Sequence, residues 1–533
     1  MLATLMTAVI NGLRGELVRV EIDVAPGLPV CTIVGLPDAA LSEARERVRG
    51  AIRNSGFEYP MSRITVNLAP ADRRKRGAAY DLAIAVGILV ASGQIRRGGG
   101  AWALLGELSL SGTVEPVAGV LPMVATLSRQ GYRRVIVPLA NEAEARLVRG
   151  VEAIGVAGLD DAARLVAGPR GQTARKAVRR AAVELSGPRP AAARRSERAD
   201  SALAAVIEPV DLSDVLGQYQ ARWALELALC GGHNLLMVGP PGAGKTLLAR
   251  AIPGLLPPLN DDEALEVTVI ESVSGLLADA GVLEYGLRRQ RPFRAPHHTA
   301  SYAALVGGGP ALLPGEATLA HHGVLFLDEL AEFDRPTLDA LRQPLEEGVL
   351  TIARARGHVR YPARFQLVAA MNPCRCGYAN DPDRRCTCPT GDPERYVRRV
   401  SGPLLDRLDM QVEMARVPVK HLLGGPVPES SAVVRNRIAA ARQVALARNV
   451  GRPNAQLPGR SVMEVCQLNK AGVSVVTELS AMNHLSARQV HRLLRVARTI
   501  ADLAGSAAVS ANDVLCAGIL RDPARPIDDQ LAA

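Results

Sequence analysis

Gly239-Pro240-Pro241-Gly242-Ala243-Gly244-Lys245-Thr246 decides how the rest of this chain is read. Glycine, four residues, then Gly-Lys-Thr is a full match to the phosphate-cradling pattern. Upstream, His233-Asn234-Leu235-Leu236-Met237-Val238 is a short apolar run suited to a buried parallel strand, and downstream Leu247 to Ile252 continues as a helix. Glycines at this junction let successive backbone N–H groups converge on an anion, and the helix N-terminus adds its partial positive charge. Gly239, Pro240, Pro241, Gly242, Ala243 and Gly244 are therefore expected to wrap the phosphates of ATP. Lys245 would reach the β- and γ-phosphates, and the Thr246 hydroxyl would ligate Mg2+.

The next strand-like run, Gly323-Val324-Leu325-Phe326-Leu327, ends in Asp328-Glu329. This is a Walker B pattern: Asp328 would hold magnesium, and Glu329 would polarise the attacking water. A third apolar run, Phe365 to Ala370, ends at Met371-Asn372. Together these segments resemble the AAA+ ATPases. That resemblance implies a sensor 1 role at the γ-phosphate for Asn372. Ser401-Gly402-Pro403-Leu404-Leu405-Asp406-Arg407-Leu408-Asp409 is similar to the segment presenting an arginine finger to a neighbouring subunit, with Arg407 as the finger and Arg398 and Arg399 as rivals. Beyond Val417 the pattern is helical and fits the AAA+ lid, whose sensor 2 arginine falls on Arg488, with Arg492 as runner-up.

Two insertions narrow the class. Arg291 to Ser301, including Arg294, His297 and His298, lies between the two nucleotide motifs, followed by Val306-Gly307-Gly308-Gly309 and Pro314-Gly315-Glu316. Glu347 to Pro362 reads as a hairpin turning near Arg356-Gly357, whose alternation would send basic side chains to one face. These resemble the helix-two insert and pre-sensor-1 hairpin of magnesium chelatase ATPases and MCM helicases. If DNA threads past them, Arg354, Arg356, His358 and Arg360, with Arg294, could grip phosphates without reading sequence.

Residues 1–167 alternate strand-like and helical runs, an α/β pattern. Gly106 to Gly112 leading into Val117-Ala118-Gly119-Val120 resembles the proteolytic domain of Lon. Lon-type peptidases use a Ser–Lys dyad; the corresponding positions here fall on Ala79 and near Met123, so no peptidase activity is expected. Residues 168–207 form a basic Ala/Arg/Pro linker; its Gly168 to Asp200 part holds eight arginines and one lysine against three acids. With this front end the chain is identified as a member of the ComM/YifB family, magnesium-chelatase-like AAA+ proteins. The fold class expected is α/β and multidomain: a Lon-protease-like domain at 1–167, a nucleotide-binding domain at 208–416, a C-terminal α-helical lid at 417–521 and a tail at 522–533.

The resemblance implies a homohexameric ring that drives branch migration of DNA in homologous recombination and natural transformation, alongside recombination proteins. Two other readings are a magnesium chelatase-type motor subunit and an ATPase scaffold without motor action. Aromatics make up only 3% of the 533 residues, leaving little for base stacking, while the net charge of +10 permits an anionic partner. No run approaches the roughly 18 apolar residues of a membrane span, and Met1 to Leu13 reads as a strand, so a cytoplasmic protein without a membrane partner is expected. Cys374-Arg375-Cys376 and Cys386-Thr387-Cys388 supply four thiolates, enough for a structural Zn2+.

Overall fold

The computed structural model describes residues 1–35, 39–70, 77–98, 100–168, 210–277, 286–309, 312–354, 357–379, 381, 384–417 and 428–521. Most of the basic linker and all of the tail fall outside these residues, as does Arg356.

The N-terminal unit is built on a seven-stranded mixed sheet whose spatial order is Cys31–Val34, Arg63–Ala69, Arg14–Ala25, Leu2–Asn11, Trp102–Leu104, Arg134–Pro138 and Glu152–Val156. Period-two patterning dictates its faces: Val18, Val20 and Ile22 are buried while Arg19 and Asp23 point outward. Helix Asp81–Ala91 is apolar around almost its whole circumference, because it packs on this sheet and is itself covered. The sequence pattern did not pick out strand Glu152–Val156 or helix Leu159–Val166, whose five and eight residues carry too short a period to be conspicuous.

The nucleotide-binding unit holds five parallel strands in the order Phe293–Arg294, Val324–Leu327, Gln366–Met371, Leu235–Val238 and Met410–Glu413. Leu235 and Met237 enter one core, shared with helix Tyr219–Gly231 and the C-terminal helices, whereas Leu236 enters the other. Leu235–Val238, Val324–Leu327 and Gln366–Met371 are buried on both faces and so read as continuous apolar runs in the sequence, whereas the partly exposed Phe293–Arg294 and Met410–Glu413 did not stand out. The antiparallel hairpin Val349–Arg354 with Gly357–Pro362 forms a two-stranded sheet of its own.

Helices Ser431–Arg448, Gly459–Cys466, Lys470–Met482, Ala487–Leu503 and Ala511–Ile519 make the C-terminal unit. A buried polar knot ties Ser431–Arg448 to Ala487–Leu503. Asp502 accepts hydrogen bonds from both terminal nitrogens of Arg448 at 2.6 and 2.7 Å, from Asn454 Nδ2 at 2.7 Å and from Arg498 Nε at 3.2 Å. Arg498 is fully buried, and its remaining nitrogens donate to the carbonyls of Ser506 and Ala507. The N-terminal unit docks on the second through Glu144, which accepts from Ser272 Oγ at 2.5 Å and from the Leu121 N–H at 2.8 Å. Its Leu13, in the turn between the first two strands, packs against the hairpin cluster of Leu312, Ile352 and Tyr361.

Removing Asp502 strands a buried guanidinium. Asp502→Ala is expected to cost about 3–5 kcal/mol, as for one member of a buried ion pair. The check is chemical denaturation followed by circular dichroism; a midpoint equal to that of the unsubstituted chain would refute the role given to this knot.

Candidate functional site

Parallel register gathers the site. Val238 pairs with Met371 and Leu327 with Ala369, so the chain leaves three neighbouring strands at one edge as the glycine loop, Asp328 and Asn372. Open α/β sheets bind ligands at such carboxyl ends. Gly239 has no room for a side chain, since a Cβ there would lie 2.3 Å from the Met414 carbonyl oxygen.

Lys245 is buried and its ammonium is held by Gly239 O at 2.6 Å, Pro240 O at 3.0 Å and Asn372 Oδ1 at 3.1 Å. Three donors meet three acceptors. Burial lowers the Lys245 pKa, opposed by the charges of Asp328 and Glu329. The Thr246 hydroxyl donates to Asp328 Oδ2 at 2.6 Å, and Asp328 Oδ1 accepts from the Glu329 N–H at 2.9 Å. Thr246 and Asp328 thus present adjacent oxygens of the hard type Mg2+ prefers. Glu329 sits at φ +52°, in the left-handed region, and its carboxylate pairs with His298 Nδ1 at 2.9 Å.

The arginines lie elsewhere. Arg407 Nη2 donates to Glu346 Oε2 at 2.6 Å and Nη1 to Pro403 O at 2.6 Å, while Arg488 Nη2 takes the other oxygen of Glu346 at 2.5 Å. Both border a cavity of about 650 Å³ in which Arg364, Arg407, Arg488, Arg492 and Arg495 outnumber three carboxylates. Arg407 Nε, Arg492 Nη1 and Arg495 Nε are buried there without a hydrogen-bond partner. Burial, reinforced by neighbouring guanidiniums, lowers the pKa of Arg492 and Arg495. No residue of the glycine loop lines this cavity. The rival Arg399 pairs with Glu332 at 2.9 Å, and Arg398 is exposed.

Arg294 is nearly buried and locked two-pronged onto Glu316 at 2.6 and 2.7 Å, an internal tie. On the hairpin, Val359 and Tyr361 turn inward while His358 and Arg360 are exposed. The Arg354 side chain lies outside the described residues. His297 hydrogen-bonds Thr299 Oγ1 at 2.9 Å. Sequence reading missed Glu346, which meets Arg407 and Arg488 only through folding, and the His298–Glu329 pair.

Cys374, Cys376, Cys386 and Cys388 bring all four sulfurs within 4.8 Å of one another. Glu266, His321 and His322 also converge, but the Arg364 N–H donates to His321 Nδ1 at 2.9 Å. Its Nε2 must therefore carry the proton given to Glu266, which leaves no lone pair for a metal.

In the Lon-like unit, Ala79 lies in the turn before helix Asp81–Ala91 and Met123 is core, packed with Val124 and Leu127. No helix among the described residues is long and apolar enough to cross a membrane.

A five-stranded parallel sheet carrying a glycine loop, an Asp-Glu pair and a facing asparagine, with a helical unit behind it, is the architecture of an AAA+ ATPase of the magnesium-chelatase type. Residues 211–422 match the family described as magnesium chelatase, subunit ChlI; residues 20–141 match subunit ChlI of Mg-chelatase, and residues 428–521 match the ChlI C-terminal family. The chain is 43% identical over 497 residues to YifB of Escherichia coli K12, covering 92% of this chain and 91% of that one, and 41% identical over 497 residues to competence protein ComM of Haemophilus influenzae, covering 93% and 92%. It belongs to the ComM/YifB family. Over 150 residues, 26% of either chain, it is 27% identical to Lon protease 2 of Bacillus subtilis.

Two outcomes follow from this geometry. Glu329→Gln should retain nucleotide affinity yet lower the ATP turnover number by about 10²–10⁴-fold, the usual worth of a general base; a turnover number within twofold of the parent refutes the role. The His321 hydrogen bond is the chief cause holding the Glu266 carboxyl down to about 2. A carboxyl depressed by folding stabilises the fold above its unfolded pKa, near 4.5, and that contribution disappears as pH falls towards 2. Glu266→Gln should flatten the stability–pH curve in that window, measured by urea titration between pH 5 and 3.

Proposed function

We propose that this ATPase works as a homohexameric ring in the cytoplasm and uses hydrolysis to drive branch migration of DNA in homologous recombination and natural transformation. The observation that carries the reading is the hairpin: one face is anchored by Val359 and Tyr361, and the other offers His358 and Arg360 to solvent. A rigid ladder with basic side chains on its free face can hold a phosphate backbone irrespective of sequence. The competence function in the name of the Haemophilus relative supports DNA as the partner.

Ring formation is supported by the arginine-lined cavity. Its excess of guanidiniums over carboxylates calls for an anion, and the chain's own glycine loop does not border it. The γ-phosphate held by a neighbouring subunit supplies that anion, with Arg407 as finger and Arg488 beside it. Glu346 occupies both until the neighbour arrives.

With a synthetic four-way junction and ATP, the protein should dissociate the junction into duplex products, and neither Lys245→Ala nor Arg407→Ala should do so. Binding without ATP-dependent dissociation would favour a scaffold; no DNA binding would favour a chelatase-type motor. Mixing Lys245→Ala with Arg407→Ala should restore part of the ATPase activity, since one subunit then supplies the loop and its neighbour the arginine. No recovery on mixing would refute action in trans.

A further inference from the structure

The four clustered cysteines lie in the loop that leaves strand Gln366–Met371, two residues beyond Asn372 at their nearest. Cys374 Sγ stands 3.4 Å from Cys376 Sγ and 3.8 Å from Cys386 Sγ, and Cys376 Sγ stands 3.5 Å from Cys386 Sγ. A tetrahedron of thiolates at the usual Zn–S length of about 2.3 Å has edges of about 3.8 Å. A disulfide would need about 2.05 Å, and all four thiols are free. Backbone N–H groups also point at the sulfurs: Cys376 N at Cys388 Sγ, 3.4 Å, and Ala379 N at Cys374 Sγ, 3.2 Å. Such donors stabilise thiolate charge and orient a ligand set.

Between the two cysteine pairs the loop touches the nucleotide site. Gly377, at φ +84°, lies against Pro241 of the glycine loop so closely that a Cβ would fall 2.4 Å from Pro241 Cδ. Tyr378, next in sequence, is stacked by Arg384 at 4.1 Å and faced by Arg416 at 5.1 Å, which ties the same loop to the end of the nucleotide-binding unit. At its other end, Asn372 holds the Lys245 ammonium.

We propose that Cys374, Cys376, Cys386 and Cys388 bind one zinc ion as a closed tetrathiolate site, and that this site braces the glycine loop through Gly377 on Pro241 and Lys245 through Asn372. Zinc withdrawal then weakens nucleotide binding without altering any residue that contacts the nucleotide. This bracing role rests on Gly239–Thr246 being the phosphate loop and is independent of DNA. A closed site has no open coordination position, so the metal acts by fixing backbone. A loop that is competent only part of the time loses apparent affinity in proportion to the fraction lost.

The test uses the full chain purified anaerobically under reducing conditions. Elemental analysis should give one zinc per chain, and Co2+ in its place should show the intense near-ultraviolet charge-transfer absorption of tetrahedral thiolate coordination. Titration with a fluorescent ATP analogue should show affinity weakened about tenfold after chelation and restored by added Zn2+. Gly377→Ala should keep the zinc and still weaken the nucleotide, separating the brace from the metal. Cys386→Ser with Cys388→Ser should lose the zinc; circular dichroism checks that the fold survives, and if it does not, chelation of the parent chain and Gly377→Ala decide. Absence of zinc together with absence of the cobalt charge-transfer band overturns the site. Full zinc occupancy with nucleotide affinity unchanged by chelation and by Gly377→Ala overturns the brace. If Lys245→Ala binds the analogue as tightly as the parent, the phosphate loop itself is misassigned, whatever the zinc content.

Discussion

A buried ammonium must find three acceptors, and meeting that requirement at Lys245 organises the centre of this protein. Two come from the carbonyls of Gly239 and Pro240, and the third from Asn372 on a different strand. An unpaired buried charge costs several kcal/mol, so Gln366–Met371 has to lie beside Leu235–Val238 in the register observed. Any slip along these strands would move Asn372 off the lysine and Asp328 off Thr246 together. The resting arrangement is also prepared for its ligand. Phosphate oxygens carry formal negative charge, which attracts the ammonium more strongly than the dipoles of neutral carbonyls do, so a triphosphate has a clear advantage over the groups it displaces.

The arginines show the opposite balance. Around Glu346 the guanidiniums outnumber the carboxylates and several of their N–H groups lack partners, so this face is incompletely neutralised by the chain itself. The Lys245 site closes on its own residues. In the proposed ring the two sites become complementary once ATP is bound: the triphosphate on Gly239–Thr246 is the anion, and the guanidiniums around Glu346 exceed the carboxylates beside them.

How much of this was legible in the sequence follows from the distance over which each signal acts. The glycine loop is eight contiguous residues, and Asp328 and Asn372 each end an apolar run, so all three could be placed by reading along the chain. The four cysteines were visible by spacing, and the hairpin by alternation. Glu346 was not, because it meets residues 61 and 142 positions away, and nothing beside it marks that fate. Arg294 misled for the same reason: a basic residue in an inserted loop has the look of a solvent-facing grip until Glu316, 22 residues later, folds onto it. His298, in the same inserted segment, carries no local mark of its partner either, and the structure gives it to the carboxylate of Glu329. Gly377 against Pro241 joins segments that no local pattern links.

The N-terminal unit meets the ATPase at two places of different physical character, and the difference bears on how motion passes between them. At helix Asp261–Val273 the contact is directional: Ser272 donates to Glu144, which also caps the Leu121 N–H, and the Ser272 carbonyl accepts from the Gly119 N–H at 2.9 Å. Hydrogen bonds of this kind fail steeply with angle and distance. At the hairpin the contact is apolar, Leu13 against Ile352, Tyr361 and Val359. Apolar burial is non-directional and tolerates sliding. The first contact therefore fixes the unit to the body of the ATPase, and the second lets Leu13 slide over the hairpin cluster at little cost until apolar surface begins to open. The hairpin keeps a directional tie of its own to the ATPase, Tyr361 Oη donating to the Leu312 carbonyl at 2.5 Å, so its loose contact is the one with the N-terminal unit, and the face that carries His358 and Arg360 stays free.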